Sequence, residues 1–365
     1  MKIIFNDFKK QYNDHKKEID SAIKRVLSSG WYILGEEGKS FERKFAEYIG
    51  VKHAIGVANG LEAIQIALIA NGIKPGDEVI TTSHSAVATA LAIKAIGAKP
   101  IFVDIDEFFH IDAKQIEKKI TEKTKAIIPV HLYGQSADME TIVKLAKKHK
   151  LQIIEDCAQA HGAKFNKKTV GTFGSAGCFS FYPTKNLGAF GDAGAIVTDD
   201  DSIAEKCREI RNYGQKNRYE HEIIGINSRL DELQAAILSE LLPDLDNKNK
   251  RRVEIADIYK KELKNIKQIK LPKVRGNTDH VYHLFVIEVD KRNELQAFLK
   301  KNEIDTLIHY PIPIHKQKCF AEFNKLSLPK LEKTVNKILS LPIHPYLKNE
   351  EVLFVCNKIK EFYGI

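Results

Sequence analysis

Three loops carry the residues whose types and spacing could do chemistry. In "CFSFYPTKNLGAFGDAGAIVT", Cys178 to Thr198, Lys185 is the lone charge between Ser175 and Gly191, set between an apolar run and a cluster of glycines. An amine among apolar neighbours is driven toward its neutral, nucleophilic form. Pro183, Asn186 and Gly188 forbid a simple helix or strand, so the lysine sits on a turn just after Ser180 and Tyr182. In "IIEDCAQAHG", Asp156 ends a very apolar strand and is followed by Gln159 and His161. A carboxylate there is costly unless it meets a cation or strong donors. In "ANGLEAIQIAL", an Asn-Gly turn feeds a helix starting near Leu61, and free N–H groups at the positive end of a helix seat a phosphate.

Each loop alone has a plainer reading: a lysine reaching into solvent, a helix cap at Asp156, an ordinary strand-to-helix turn. Together they fit one cofactor. Pyridoxal phosphate needs an amine for its Schiff base, a carboxylate facing its ring nitrogen, and a phosphate cup. Lys185, Asp156, and the Gly60/Leu61 turn with Ser180 supply these parts. The carboxylate keeps the ring nitrogen protonated, so the ring takes up electrons when the substrate's α-proton leaves. Competing motifs are absent. "GTFGSAG" (171–177) and "GAFGDAG" (188–194) are GxxGxxG rather than GxGxxG, and there is no Walker A pattern and no HExxH.

The elements that must position these loops alternate. Short apolar, β-branched runs at 53–58, 77–82, 99–105, 125–132, 151–157, 177–182 and 194–198 are separated in several places by helix-period segments, at 61–72, 85–97 and 139–150. That rhythm predicts βαβ units and a mostly parallel sheet with helices on both faces. Right-handed crossovers then gather the loops after the strands along one sheet edge, where ligands of open α/β sheets bind. From about residue 245 a long charged helix opens a mixed α+β pattern. The expected division is a large α/β domain over 1–245 and a smaller α+β domain over 246–365.

Composition narrows the class further. A chain of 365 residues with 43% hydrophobic content has ample material for a folded core. Its apolar runs fall far short of a membrane span, and the charged N-terminus lacks a signal peptide's apolar centre. Five cysteines without a CxxC pair favour free thiols in a reducing cytoplasm over a disulfide framework or metal site. The net charge of +9 comes from lysines interleaved with acidic residues, without a basic stripe, so no nucleic-acid partner is expected. A basic surface also suits an anionic sugar nucleotide.

At this point "FSFYPTKNLGAFGDAGAIVT", "IIEDCAQAHG", "PVHLYGQSADM", "YILGEEGKSFERKFAEYIGVKHAIGVANG" and "NSRLDELQAAIL" together resemble the DegT-type sugar aminotransferases, fold-type-I pyridoxal phosphate enzymes acting on nucleotide-linked keto-sugars. The resemblance runs from about Phe5 to "IHYPIPIH" and "LPIHP". It implies that Lys185 forms the covalent link and then shuttles the proton, that Asp156 pairs with the ring nitrogen, and that Gln159 lies near the ring hydroxyl. Gly60, Leu61 and Ser180 would hold the phosphate, and Asn227 would reach the neighbouring subunit's phosphate in a homodimer with shared sites. Tyr182, His309 and Tyr310 are the implied sugar or nucleotide contacts. Trp31 and Tyr32 read equally as substrate contacts and as packing residues.

Two positions depart from the family pattern. Many relatives place an aromatic ring on the cofactor about where Ala86 stands, which leaves His84 as the nearest stacking candidate. Many also read Gly-Thr where this chain has Gly60-Leu61, so a hydroxyl is lost from the cup. "FYPTKNLG" resembles the branch that aminates C3 of the hexose. The implied reaction is ping-pong transfer from glutamate to a dTDP-linked 3-keto-6-deoxyhexose, for aminosugars of surface glycans such as lipopolysaccharide. The alternatives are a C3 aminotransferase for a UDP-linked 2-acetamido-3-keto sugar and a non-catalytic regulator of the same fold. A related sugar dehydratase would carry histidine in place of Lys185. Such regulators usually add a winged-helix domain, which the sequence does not show.

Overall fold

The computed structural model describes residues 1–365. Seven strands form the central sheet: β1 (His53–Val57), β2 (Glu78–Thr82), β3 (Lys99–Val103), β4 (Thr124–Ile128), β5 (Gln152–Asp156), β6 (Ala176–Ser180) and β7 (Gly194–Thr198). Their spatial order is β1-β7-β6-β5-β4-β2-β3. Only β7 runs against the others, pairing antiparallel with both β1 and β6. The remaining neighbours pair in parallel. Each expected run became a strand, with its ends shifted by one to four residues except at 194–198, where the bounds agree.

Alternation across the strands distributes the core to both faces. Ile55, Val57, Cys178 and Ile196 pack with Ile64, Ile66 and Leu68 of the helix Gly60–Ala70. Ala54, Phe179, Ala195 and Val197 pack on the opposite face with Phe41, Phe45 and Leu238. There Phe45 meets Phe179 and Phe181 edge-on, with ring centroids 5.1 Å apart in both pairs. Phe181 thereby anchors the chain just as it leaves β6 toward Lys185. Each such buried side chain contributes about 1.5–3 kcal/mol.

The helix read at 85–97 is shorter, Ala88–Ala95. Residues 83–87 instead form a loop at the sheet edge, where the Ser85 and Thr89 hydroxyls bond to each other at 2.8 Å. Polar side chains that bond locally compete with the helix for these residues.

The C-terminal part has its own antiparallel sheet of β8 (Ile269–Lys270), β9 (Phe285–Val289) and β10 (Ile338–Leu341), in that order. Helices Leu245–Leu263, Arg292–Lys301 and Asn349–Phe362 cover it. Ile3, from the other end of the chain, is buried in the same core and bridges Ile304. Segment 309–316 leaves this sheet and is tied to the loop after β2: Ser83 O accepts from Ile314 N at 3.1 Å, and Ser83 Oγ bonds His315 Nδ1 at 2.7 Å. No helix is long and apolar enough to cross a membrane.

Two buried carboxylates organise backbone rather than chemistry. Glu155 accepts from Gly171, Phe173 and Gly174 N–H at 2.8, 2.6 and 2.9 Å, and from His131 Nε2 at 3.0 Å. His131 Nδ1 accepts from Ala137 N at 3.1 Å, which leaves Nε2 to donate to Glu155. Cys157 lies beside this pair, its sulfur within 4.8 Å of the His131 and Glu155 side-chain atoms. Glu232 is 2% exposed and accepts from Gly35, Glu37 and Gly38 N–H at 2.8, 2.8 and 3.0 Å. It thereby caps the helix Glu36–Ile49, whose own preceding residue, Gly35, offers no side chain. Glu232→Ala should orphan three donors and cost about 3 kcal/mol in urea unfolding. Glu232→Gln, which keeps one acceptor oxygen, should fall between that variant and the parent.

Candidate active site

Parallel strands bring the ends of β1, β2, β4, β5 and β6 to one edge of the sheet. The three loops read from the sequence meet there. Asn59, at the end of the β1 loop, caps the following helix by accepting from Glu62 N at 2.9 Å. The cap takes that donor and leaves the Gly60 and Leu61 N–H groups of the first turn facing outward. A Cβ placed on Gly60 would stand 2.6 Å from Ser180 Cβ, so the helix start and the end of β6 touch. Glycine is required at position 60 by this approach, not by a turn conformation. Leu61 is half-buried, with its side chain packed against the sheet core, so only its backbone can serve the cup.

Asp156 is 5% exposed. Its Oδ2 accepts from Thr89 Oγ1 at 2.7 Å and its Oδ1 from Ala158 N at 3.1 Å. Burial raises its pKa, while the Thr89 and Ala158 donors and the nearby Lys185 amine oppose that rise. Lys185 follows a tight turn in which Lys185 N donates to Tyr182 O at 2.8 Å. The residue keeps partial solvent access, yet protein encloses it, and burial draws the amine down to about 8 against the pull of Asp156. The two groups therefore oppose each other's desolvation, and the amine is poised to lose its proton near neutrality.

Asn186 pins the turn. Its Nδ2 donates to Asn249 Oδ1 at 2.7 Å and to Val281 O at 3.1 Å, and its Oδ1 meets His283 Nδ1 at 3.1 Å. Asn249 in turn donates to His161 O at 2.8 Å. The sequence marked Asn186 only as a break in regular structure. Its partners lie 63 to 97 residues away, and no local pattern announces them.

Tyr133, like Thr89, also has a role that no local pattern announces. It takes a left-handed conformation, φ 62°, followed by Gly134 at φ 101°. A Cβ on Gly134 would fall 2.8 Å from His283 N, so the chain passes close to the C-terminal segment here. Tyr133 N donates to Gln159 Oε1 at 2.8 Å, its hydroxyl bonds His84 Nε2 at 2.8 Å, and the same hydroxyl meets His309 O. Gln159 Nε2 donates to Tyr310 OH at 2.9 Å. Strained backbone of this kind persists where surrounding contacts fix it.

The expected site residues thus divide. Lys185, Asp156, Gln159, His84, His309 and Tyr310 belong to one connected region. Gly60, Leu61 and Ser180 form a second patch on the same edge. His84 is buried with its ring edge-on to Tyr133 at 5.8 Å and tilted against Phe109 at 6.2 Å. Burial lowers His84 to about 3 and His309 to about 4, so both are neutral at pH 7. Tyr182 is 52% exposed at the mouth of the turn. Asn227 is exposed and bonds none of these residues within its own chain, although the neighbouring Ser228 Oγ accepts from Ala58 N at 3.1 Å. Trp31 and Tyr32 are 63% and 50% exposed, which removes the packing reading for them within one chain.

Pyridoxal phosphate matches this donor set. A depressed amine stands opposite a buried carboxylate that lacks a full cation partner, and a glycine cradle at a helix start lies beside Ser180. Lys185 and Asp156 would hold the ring between them, and Gly60, Leu61 and Ser180 would hold the phosphate.

Two outcomes follow for this geometry. In cofactor-free protein, acylation of Lys185 by an amine reagent should be half-maximal near pH 8, whereas exposed lysines should require a pH above about 10. Asp156→Asn removes the charge that raises the amine, so that midpoint should move lower; mapping the modified peptide against pH checks both. Gly60→Ala should overpack the contact with Ser180 and weaken pyridoxal phosphate retention about tenfold, measured by equilibrium dialysis.

The profile of the DegT/DnrJ/EryC1/StrS aminotransferase family matches residues 13–360. Over 361 residues and 99% of each chain, the protein is 52% identical to one from Aneurinibacillus thermoaerophilus named dTDP-3-amino-3,6-dideoxy-alpha-D-galactopyranose transaminase. It is 50% identical over 368 residues, 100% of this chain and 99% of the other, to a Geobacillus stearothermophilus protein named pleiotropic regulatory protein. Among solved structures, that of S. venezuelae DesV in complex with a ketimine intermediate superposes with a TM-score of 0.97 at 45% identity, covering 99% of this chain and 98% of that one. With a profile match along nearly its full length and a shared fold throughout, this chain belongs to the DegT/DnrJ/EryC1/StrS aminotransferase family, whose cofactor is pyridoxal phosphate.

Proposed function

We propose that the protein transfers an amino group from glutamate to C3 of a dTDP-linked 3-keto-6-deoxyhexose. The observation that carries this reading is the enclosed, low-pKa Lys185 opposite buried Asp156, in a chain 52% identical to a dTDP-sugar transaminase. We further take the working unit to be a cytoplasmic homodimer in which Asn227 completes the partner's phosphate cup. Its exposure without a partner in its own chain supports that role. Residues 1–245 would bind the cofactor and 246–365 would close over the substrate, the product feeding surface glycans such as lipopolysaccharide.

When bound, pyridoxal phosphate supplies a carbonyl to exchange for the amine and a ring that accepts electron density. The protein's residues do the rest. Lys185 Nζ takes the proton from the carbon that carries the amino group and returns it at the other end of the exchange, a task suited to an amine drawn to about 8. Asp156, oriented by Thr89 and Ala158, would face the ring nitrogen with its carboxylate. Gln159, held between Tyr133 N and Tyr310, would lie near the ring's hydroxyl. Neutral His309 and exposed Tyr182 line the approach for the sugar. The regulator reading loses ground because a purely structural role would not need a lysine amine kept in so unfavourable a place.

The deciding experiment is mass spectrometry of products from holoenzyme with glutamate and a panel of keto-sugar nucleotides. The dTDP-linked 3-keto-6-deoxyhexose should gain an amino group with one equivalent of 2-oxoglutarate released, and Lys185→Ala should lose turnover at least about a thousandfold while unfolding at the parent temperature. Amination only of a UDP-linked 2-acetamido-3-keto sugar would overturn the nucleotide assignment. No amination at all, combined with DNA affinity at physiological salt, would overturn the enzymatic one.

A further inference from the structure

Beside the turn that carries Lys185, one buried cation has no counter-charge. Arg252, on the helix Leu245–Leu263, is 5% exposed. Its Nη1 donates only to carbonyls, Ile343 O at 3.1 Å and Tyr282 O at 3.4 Å, and its Nε has no partner. One turn earlier, Lys248 pairs with Asp244 and Asp14 at 3.4 and 3.7 Å, but no carboxylate pairs with Arg252. Guanidinium does not shed its proton in proteins. Burial lowers it only to about 10, so the charge is present at pH 7. An uncompensated buried charge is among the costliest arrangements a fold can hold.

The neighbouring groups are equally unsatisfied. His344 is 4% exposed, with only the Ile4 backbone near its ring and no well-formed hydrogen bond to either nitrogen, and the buried Tyr346 hydroxyl also lacks a partner. Arg252, His344 and Tyr346 line one cavity of about 40 Å³. The turn Pro183–Gly188, Lys185 included, lines it too, with Lys248 and with Asn6 and Gln11 from the first segment of the chain. The one carboxylate in the wall, Asp7, is engaged elsewhere: its Oδ1 accepts from Lys10 N at 2.9 Å, capping the helix Phe8–Asp14, and its Oδ2 lies 3.6 Å from Lys10 Nζ. The space exceeds the ~10–15 Å³ that one water needs. Water would satisfy His344 and Tyr346 but would leave Arg252 uncompensated.

We propose that this cavity binds one small monovalent anion, a halide or a formate-sized carboxylate, between Arg252, His344 and Tyr346. The guanidinium supplies the charge, the tyrosine hydroxyl and one imidazole N–H supply donors, and the occupied site braces the Lys185 turn against the helix of the C-terminal part. None of the residues of the phosphate cup, Gly60, Leu61 and Ser180, lines it.

The test is a thermal series on holoenzyme at constant ionic strength, exchanging gluconate for chloride, bromide, formate or acetate. Chloride, bromide and formate should raise the midpoint by roughly 2 °C or more between about 5 and 200 mM, and gluconate should not. Crystals grown in bromide should show an anomalous peak within hydrogen-bond distance of Arg252, absent in Arg252→Gln. If Arg252→Gln does not fold, Tyr346→Phe should still weaken the anion response. Equal midpoints in all salts, a cavity filled only by water, or Asp7 turned onto Arg252 in the crystal would each overturn the proposal.

Discussion

The active region depends on placing an amine and a carboxylate, Lys185 and Asp156, where neither is fully solvated. Burial raises one pKa and lowers the other, and each group's charge partly offsets the other's penalty. Such a pair is a poor source of stability, because desolvation consumes most of the attraction. It makes sense as a device for reactivity: an amine near 8 is close to the protonation boundary at which it can both bond to carbon and carry protons. The surrounding structure then has one task, to keep both groups in place without letting them relax toward water.

It does so with neutral hydrogen-bonding side chains. Thr89 holds Asp156, Asn186 holds the lysine turn, and Tyr133, in the loop after β4, joins the loops after β2 and β5 to the C-terminal segment through His84, Gln159 and His309. Burial keeps His84 and His309 uncharged, so this network adds no competing charge beside the lysine. Farther out, Glu155 and Glu232 hold backbone donors of glycine-containing segments that have no side chains to cap themselves. The ties from Ser83 to Ile314 and His315, and from Asn186 to Asn249 and Val281, make the C-terminal part a wall of the site rather than an appendage.

Much of this was legible one-dimensionally because its causes are local. Strand and helix periods, the Asn-Gly turn, and a lone lysine among apolar residues depend on neighbours within about ten positions, and each survived into the structure. The helix that came out shortest against expectation, Ala88–Ala95, did so where Ser85 and Thr89 bond each other and Thr89 bonds Asp156. Tyr133, Thr89 and Asn186 went unread for the opposite reason. Their partners lie tens to well over a hundred residues away, and nothing in a tyrosine, threonine or asparagine names its partner in advance.

The sequence by itself determined the chemistry on offer, an amine, an acid and a helix start on successive loops of an alternating α/β chain, because side-chain identity and short-range periodicity are written in it directly. Only the tertiary structure decided that Gly60 touches Ser180, that Lys185 is enclosed, that His84 and His309 are neutral, and that Arg252 stands without a counter-charge. These are properties of burial and distance between remote segments. A pKa or an unpaired charge does not exist until the chain has excluded water around it.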